Sequence, residues 1–162
     1  MTFLLIGLLA AAPSVAHLVG TAPSQSSGSY GGRLSVVPVD ARTTRTTSGS
    51  GRVTATLEGG RLRVEGTFEG THTPVTGAEI RQAPPGRRGG PLLATLDASG
   101  GTKGRIQGTV RLSAAQRDAL TRGDLYVLVR TGGNPEGEIR GWLLPPGWTG
   151  TGGPSEGTGG SR

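Results

Sequence analysis

The sequence contains no cysteine, and this absence excludes several kinds of protein at once. Disulfide bridges, thiolate metal sites, a cysteine nucleophile and a lipid-modified N-terminal cysteine are all ruled out. Asparagine is almost as scarce: Asn134 is the only one, and Pro135 follows it, so there is no acceptor for N-glycosylation. Any folded domain in this chain must therefore be held together by its own core.

Aromatic residues account for 4% of the chain and hydrophobic residues for 33%. This composition predicts a small core of leucine, valine, isoleucine and alanine, and it argues against a large buried catalytic pocket. Proteins that bind single-stranded nucleic acid interleave basic residues with stacking aromatics. The few aromatics here are spread over the whole length, so we expect no nucleic-acid partner.

Histidine occurs only at His17 and His72, which leaves no base for a serine nucleophile. The motifs GxSxG, GxxxxGK and HExxH are all missing. Glu136 and Glu138 lie close in sequence, but no apolar setting raises their pKa, and we interpret them as solvated residues. We therefore expect no enzymatic activity and no cofactor.

The first sixteen residues differ in kind from the rest. Phe3–Ala12 is an unbroken apolar run, and Ser14, Val15 and Ala16 follow it with small residues at the two positions that a signal peptidase reads. The run is too short to span a bilayer, so we expect no membrane anchor. Residues 1–16 are predicted to be a cleaved export signal, which places the protein in the periplasm or outside the cell.

Composition divides the remaining chain into three segments. Residues 17–32 read as a flexible lead, residues 33–146 as a patterned domain, and residues 147–162 as a disordered tail rich in glycine, threonine and serine. Trp148 is the one large apolar side chain in that tail. It either folds back onto the domain or is exposed.

Basic residues outnumber acidic ones by 17 to 11, which gives a formal net charge of +6. Nearly all the basic residues are arginines, because Lys103 is the single lysine. This excess is consistent with an acidic extracellular polysaccharide or protein as partner. The glycine, alanine, arginine and proline bias of a GC-rich genome explains the same composition without any partner.

The 31 Gly and 11 Pro favour short strands and turns over a helical bundle. Period-two alternation places Val53, Ala55 and Leu57 on one face of a strand, and a Glu58-Gly59-Gly60 turn joins this strand to the next. The predicted strands are Arg33–Val39, Arg52–Leu57, Arg61–Phe68, Gly77–Arg81, Leu92–Leu96, Arg105–Leu112, Leu125–Arg130 and Glu138–Leu144. This pattern predicts an all-β fold, either an antiparallel sandwich or a barrel.

One short helix interrupts the strands. Ser113 followed three residues later by Gln116 is a capping box, and Gly123 supplies the C-terminal stop. The pattern predicts a helix over Ser113–Arg122. Its Leu120 is expected to close one end of the fold.

Two segments near the end of the patterned region resemble a known family. Leu125–Thr131 and Asn134–Gly141, which reads NPEGEIRG, resemble the YVNVHT and NPxGEIRG that end a CHRD (chordin-type) domain. Gly77–Arg81 stands where the family has the strand AHIH, and the resemblance covers Arg33–Pro146. It implies an antiparallel Greek-key β-sandwich similar to copper-zinc superoxide dismutase, with one short helix. Bacterial secreted proteins commonly carry this domain.

The sequence departs from the family at the histidines. Glu79, Arg81 and Arg130 occupy the matching positions, and arginine has no lone pair to offer a metal ion. The resemblance therefore implies a CHRD-type domain without a metal site, and we interpret His72 as an exposed loop residue. The three residues are expected to form an ion-pair network or a small anion site. Weaker candidates for the anion site are Arg87, Arg88 and Arg140.

Two functional readings remain open. The first is a secreted, non-catalytic CHRD-domain protein that serves as an extracellular binding or structural module. The alternative is a degenerate metal-binding or redox-type sandwich that has lost its ligands. A related possibility is a binder of small anions or acidic polysaccharide through Arg81 and Arg130.

Overall fold

The computed structural model of the protein describes residues 28–38, 45–87 and 89–148. The predicted export signal, most of the predicted lead and the tail from residue 149 onward lie outside this part of the chain. The described residues form eight strands and one helix, in the order β1 (Gly28–Val36), β2 (Ser50–Glu58), β3 (Arg61–Glu69), β4 (Val75–Gln82), β5 (Leu92–Ala98), β6 (Lys103–Arg111), α1 (Ala114–Thr121), β7 (Leu125–Thr131) and β8 (Ile139–Trp142).

The alternation read from the sequence sets which side of each strand is buried. In β2, Val53, Ala55 and Leu57 are buried while their neighbours are exposed, and β3 follows the same pattern. The two strands pair in antiparallel register and are joined through Gly59 and Gly60, which both have positive φ. This is the predicted hairpin, and its turn uses the backbone region that glycine adopts without steric cost.

The strands close into a barrel rather than the two-sheet sandwich that was expected. The strand order is β1-β2-β3-β6-β5-β4-β7-β8, and every pair is antiparallel. Closure occurs at β1, which pairs with β2 along Gly28–Leu34 and with β8 at Ser35 and Val36. A strand that bridges both sides in this way leaves no sheet edge open at that point.

The start of β1 corrects the sequence prediction, which placed the first strand at Arg33. Gly28 to Gly32 are already paired with β2, although they were assigned to a flexible lead. Their glycines carry no side chain, so the period-two pattern is hidden, and Tyr30 is the one large side chain that packs against the core. At the other end, β8 covers only Ile139–Trp142 of the predicted Glu138–Leu144.

The helix agrees with its prediction. Ser113 accepts a hydrogen bond from the backbone N–H of Gln116, the Gln116 side chain accepts one from the backbone N–H of Ser113, and Arg122 is the C-cap. Leu120 is fully buried in the main hydrophobic cluster, as expected for a residue that closes the fold. No helix in the described ranges has the length and hydropathy needed to cross a membrane.

Trp148 folds back onto the domain. Its backbone N–H donates to the carbonyl of Pro145, and its indole lies beside Gly123 at the end of α1. This settles the alternative left open for Trp148 by the sequence, and it shows that chain packing extends slightly beyond Pro146.

Candidate functional site

The candidate residues lie on the outer side of the barrel wall formed by β4, β7 and β8. In β4, Glu79 and Arg81 point away from the core, whereas Ala78 and Ile80 point into it. Arg130 of β7 pairs with Gly77 of β4, which lies two residues before Glu79 and on the same face of the strand. Strand alternation and register therefore bring Glu79, Arg81 and Arg130 together, and we call these three residues the Glu79 cluster.

Glu79 is the centre of the Glu79 cluster. Its carboxylate is buried, with 4% of the side chain exposed, and it faces two guanidinium groups. Oε2 accepts a hydrogen bond from Nε of Arg81 at 2.7 Å, and Oε1 lies 3.1 Å from Nε of Arg130. The predicted ion pairs are thus present. The second is a charge contact without an aligned hydrogen bond, which leaves the buried Nε of Arg130 without a hydrogen-bond partner among the described residues.

The remaining arginine candidates differ in their burial and in their hydrogen bonds. Arg140 is largely buried, stacks over the ring of Trp142 at 4.6 Å, and donates from Nη1 to the backbone carbonyl of Arg87 at 2.9 Å. Arg87 therefore contributes its carbonyl to this contact. Arg88 lies outside the described residues. Arg81 makes a further bond from Nη1 to the carbonyl of Gly90 at 3.0 Å.

A cleft of about 540 Å³ opens between Arg81 and Arg140. Its walls include Tyr126, Leu128, Asn134 and Glu136. Burial raises the pKa of the Tyr126 phenol above its ordinary value of 10.0, although Arg81 and Arg140 act in the opposite direction. The phenol is therefore a neutral hydroxyl beside two cations at physiological pH.

The prediction that Glu138 is solvated is wrong, because its side chain is fully buried. Oε1 accepts hydrogen bonds from the backbone N–H groups of Ser48 at 3.0 Å and His72 at 2.6 Å. Oε2 accepts from the hydroxyl of Thr131 at 2.5 Å and from Nδ2 of Asn134 at 3.1 Å. The carboxylate thus ties three loops together at one end of the barrel.

The four donors around Glu138 decide its ionisation. Burial by itself raises the pKa of this carboxyl, but the hydrogen bonds to the ionised form outweigh that effect and hold the pKa below the ordinary value of 4.5. Glu138 is therefore a structural anion. The side chain of His72 is exposed, as predicted, and only its backbone takes part.

The donor set around the Glu79 cluster does not suit a metal ion. Arginine cannot give up its proton at ordinary pH, and two guanidinium groups repel a cation. Within the described ranges, no group of three or more histidine, cysteine, aspartate or glutamate side chains is placed to hold a metal.

An antiparallel all-β barrel with one capped helix, closed by a C-terminal NPEGEIRG segment, defines a recognisable class of domain. The family model of the CHRD domain matches residues 33–143, and the chain belongs to that family. No curated protein and no solved structure matches the chain.

The sequence missed the role of Glu138 because its partners are remote. Ser48 and His72 come from loops 90 and 66 residues away, and no local pattern connects them to the NPEGEIRG segment. The only available signal was the fixed spacing of Asn134 and Glu138 within that segment, since both side chains take part in the same network.

Proposed function

We propose that this protein is a non-catalytic CHRD-domain module that works outside the cytoplasm as a binding or structural unit. The observation that carries the proposal is the Glu79 cluster. Where the family pattern has imidazoles able to bind a metal, this chain has one buried carboxylate held by two guanidinium groups. The guanidinium groups have no lone pair to offer, and both oxygens of the carboxylate already face them.

Export and topology belong to the same proposal. CHRD domains are typically extracellular, and the apolar run before Ala16 has the form of an export signal. The barrel order places β4, β5 and β6 side by side with β7 returning next to β4. That order matches the definition of a Greek key, which supports a topology like that of copper-zinc superoxide dismutase.

Metal analysis tests this function directly. The purified protein is expected to contain no stoichiometric copper or zinc at neutral pH, whereas the variant Glu79→His, Arg81→His, Arg130→His is expected to bind one of them. Three neutral imidazoles on adjacent strands can donate lone pairs where guanidinium groups cannot. Stoichiometric metal in the natural protein would overturn the proposal. A folded triple variant without metal affinity would contradict the family alignment of these positions.

A small-anion site is the second candidate function, and the cleft beside Arg81 favours it. The guanidinium groups of Arg81 and Arg140 line this cleft, and the acidic side chain among its lining residues is that of Glu136. Titration with sulfate, phosphate and glucuronate tests the site. If it exists, Arg81→Gln abolishes binding while Arg63→Gln, a change in an exposed ion pair on another wall, leaves binding unchanged.

A further inference from the structure

The outward face of β1, β2, β3 and β6 forms another part of the barrel wall, which we call the open face. Its charged side chains are exposed, whereas the carboxylate of the Glu79 cluster is buried. The inward positions of these four strands form the core, and their outward positions are exposed. The charged outward residues are seven basic ones, Arg33, Arg52, Arg61, Arg63, Lys103, Arg105 and Arg111, and three acidic ones, Glu58, Glu65 and Glu69. The open face is therefore strongly basic.

The strand register orders part of this charge into a row. Arg33 pairs with Arg52, Arg52 pairs with Thr67, and Thr67 pairs with Arg105. Neighbouring strands are about 4.8 Å apart, so the row runs perpendicular to the strands for about 14 Å. We call these four residues the arginine row. It contains three cations, one hydroxyl and no acidic residue.

No local anion compensates the arginine row. Within the described residues, the side chains of Arg33, Arg52 and Arg105 make neither an ion pair nor a hydrogen bond. Each of the two adjacent rows holds one acidic residue with a basic residue of its own. Glu65 is bound by Arg63, whose Nη2 and Nε lie 2.6 and 2.9 Å from its Oε1, and Glu69 lies directly opposite Lys103 of β6. The cations of the row are therefore available to an external partner.

Like charges placed directly opposite on paired strands destabilise a sheet. The open face has two such pairs, Arg33 with Arg52 and Arg61 with Arg111. The Glu79 cluster shows that this chain places a carboxylate between arginines where their charge serves stability. Arg61 also lies opposite Glu58 of β2, but neither Arg33 nor Arg52 has an acidic residue directly opposite. Their repulsion is left in place, which fits a surface whose counter-charge arrives with a partner.

The arginine row also has a shape. Thr67 is short and stands between two long arginines, so a shallow groove of about 380 Å³ lies over β3. Arg52 and Arg105 form its sides, and Thr54, Glu65 and Gln107 line its floor with Thr67. The groove therefore offers two guanidinium groups for anions, with hydroxyl and amide groups between them for neutral polar atoms. The carboxylate of Glu65 in its floor is paired with Arg63.

We propose that the groove along the arginine row binds an acidic polysaccharide. A linear polymer of sugars with carboxylate or sulfate groups suits both the cationic and the neutral polar groups of the groove. Its anions reach Arg52 and Arg105, while its hydroxyl groups contact Thr67 and Gln107. Single-stranded nucleic acid fits less well, because the outward positions of β1, β2, β3 and β6 carry no aromatic side chain on which a base could stack. This site is separate from the Glu79 cluster and does not depend on its role.

The test compares two double variants of the whole protein that have equal net charge. Arg52→Gln with Arg105→Gln removes both sides of the groove, and Arg61→Gln with Arg111→Gln removes two arginines from the far end of the same face. Binding to polygalacturonate is measured by calorimetry, with dextran as the neutral polymer and an oligothymidylate as the nucleic-acid comparison. All four changes are at exposed positions, so unchanged circular dichroism is expected. Each double variant removes one like-charged pair, so its melting temperature is expected to equal or slightly exceed that of the natural protein.

The groove variant is expected to bind polygalacturonate about tenfold more weakly than the natural protein, since two charge-assisted contacts are lost. The control variant is expected to retain most of the affinity, and dextran is expected not to bind. An equal loss of affinity in both variants would show that binding depends only on net charge, and it would overturn the proposed site. No binding of polygalacturonate would overturn it as well, and tighter binding of the oligothymidylate with the same dependence on Arg52 and Arg105 would assign the groove to nucleic acid.

Discussion

At the scale of single residues, this chain treats buried and exposed charges in opposite ways. The buried carboxylates of Glu79 and Glu138 are each surrounded by donors, either two guanidinium groups or four hydrogen bonds. An unpaired buried charge destabilises the fold by far more free energy than an ion pair on the surface contributes. Both buried carboxylates therefore need their full set of donors. Within the described residues, the exposed side chains of Arg33, Arg52 and Arg105 on the open face have no ion pair or hydrogen bond, and they are therefore available for binding.

Replacing the central carboxylate of the Glu79 cluster should destabilise the barrel. Glu79→Ala leaves two partly exposed arginines facing each other, and we expect the free energy of unfolding to fall by about 1 to 3 kcal/mol. Glu65→Ala is the matched control, because it breaks the pair with Arg63 in which both side chains are more than half exposed. That change should cost less than about 1 kcal/mol. Equal effects in urea unfolding would show that burial adds nothing to the cluster.

The network of Glu138 predicts a dependence on both residue type and pH. Glu138→Gln exchanges an anionic acceptor for a group that places an amide donor among four donors, so a loss on the order of 2 to 4 kcal/mol is expected. Glu136→Gln, two residues earlier and in the turn, should change stability little.

The pH effect follows from the lowered pKa of Glu138. A group with a folded pKa below its unfolded value contributes stability above the unfolded pKa, and this contribution is lost as pH falls through the folded pKa. The difference in unfolding free energy between the natural protein and Glu138→Gln should thus be constant near neutral pH and shrink below about pH 4.5. A difference that grows on acidification would mean that burial outweighs the hydrogen bonds.

At the scale of elements, the parts of the fold that local chemistry specifies were predictable from the sequence. The β2–β3 hairpin follows from alternation and a Gly59-Gly60 turn, and helix α1 follows from its capping box. The first residues of β1 could not be predicted as a strand, because the glycine-rich stretch from Gly28 to Gly32 gains its strand conformation from pairing with β2. Their tertiary partner, rather than their own propensity, makes them a strand.

Helix α1 offers a test of that local control. Ser113→Ala removes the hydroxyl that accepts the backbone N–H of Gln116, and loss of an N-cap of this kind costs about 1 kcal/mol. Because Ala119 and Leu120 fix the helix to the core, the helix should remain folded in the variant. A lower midpoint in urea with unchanged helical circular dichroism is expected. Complete loss of the helical signal would show that the cap, and not the packing, holds α1.

At the scale of the whole molecule, the sequence predicted the strand content and the family, but the sandwich implied by the resemblance was not what the strands form, since they close into a barrel. The decision depends on β1, whose two halves pair with different strands. The Glu79 cluster could be predicted because family positions and strand alternation place its members together. The Glu138 network and the arginine row could not, since both depend on pairings between segments far apart in sequence, such as β3 with β6. Long-range register is the information that local patterns lack.

Closure of the barrel provides the last prediction. At Gly141 of β8, an added Cβ would lie 2.5 Å from the carbonyl oxygen of Arg33 in β1, so only glycine permits the two strands to approach at this distance. Gly141→Ala must push β1 away from β8, and overpacking against backbone costs about 1 to 3 kcal/mol. Gly132→Ala is the control, because its Cβ would meet nothing within 4 Å. Urea unfolding should show a lower midpoint for the first variant only. Hydrogen exchange should be faster at Val36, whose partner across the seam is Ile139. If Gly141→Ala were as stable as Gly132→Ala, the seam between β1 and β8 would not be the close contact that shuts the barrel.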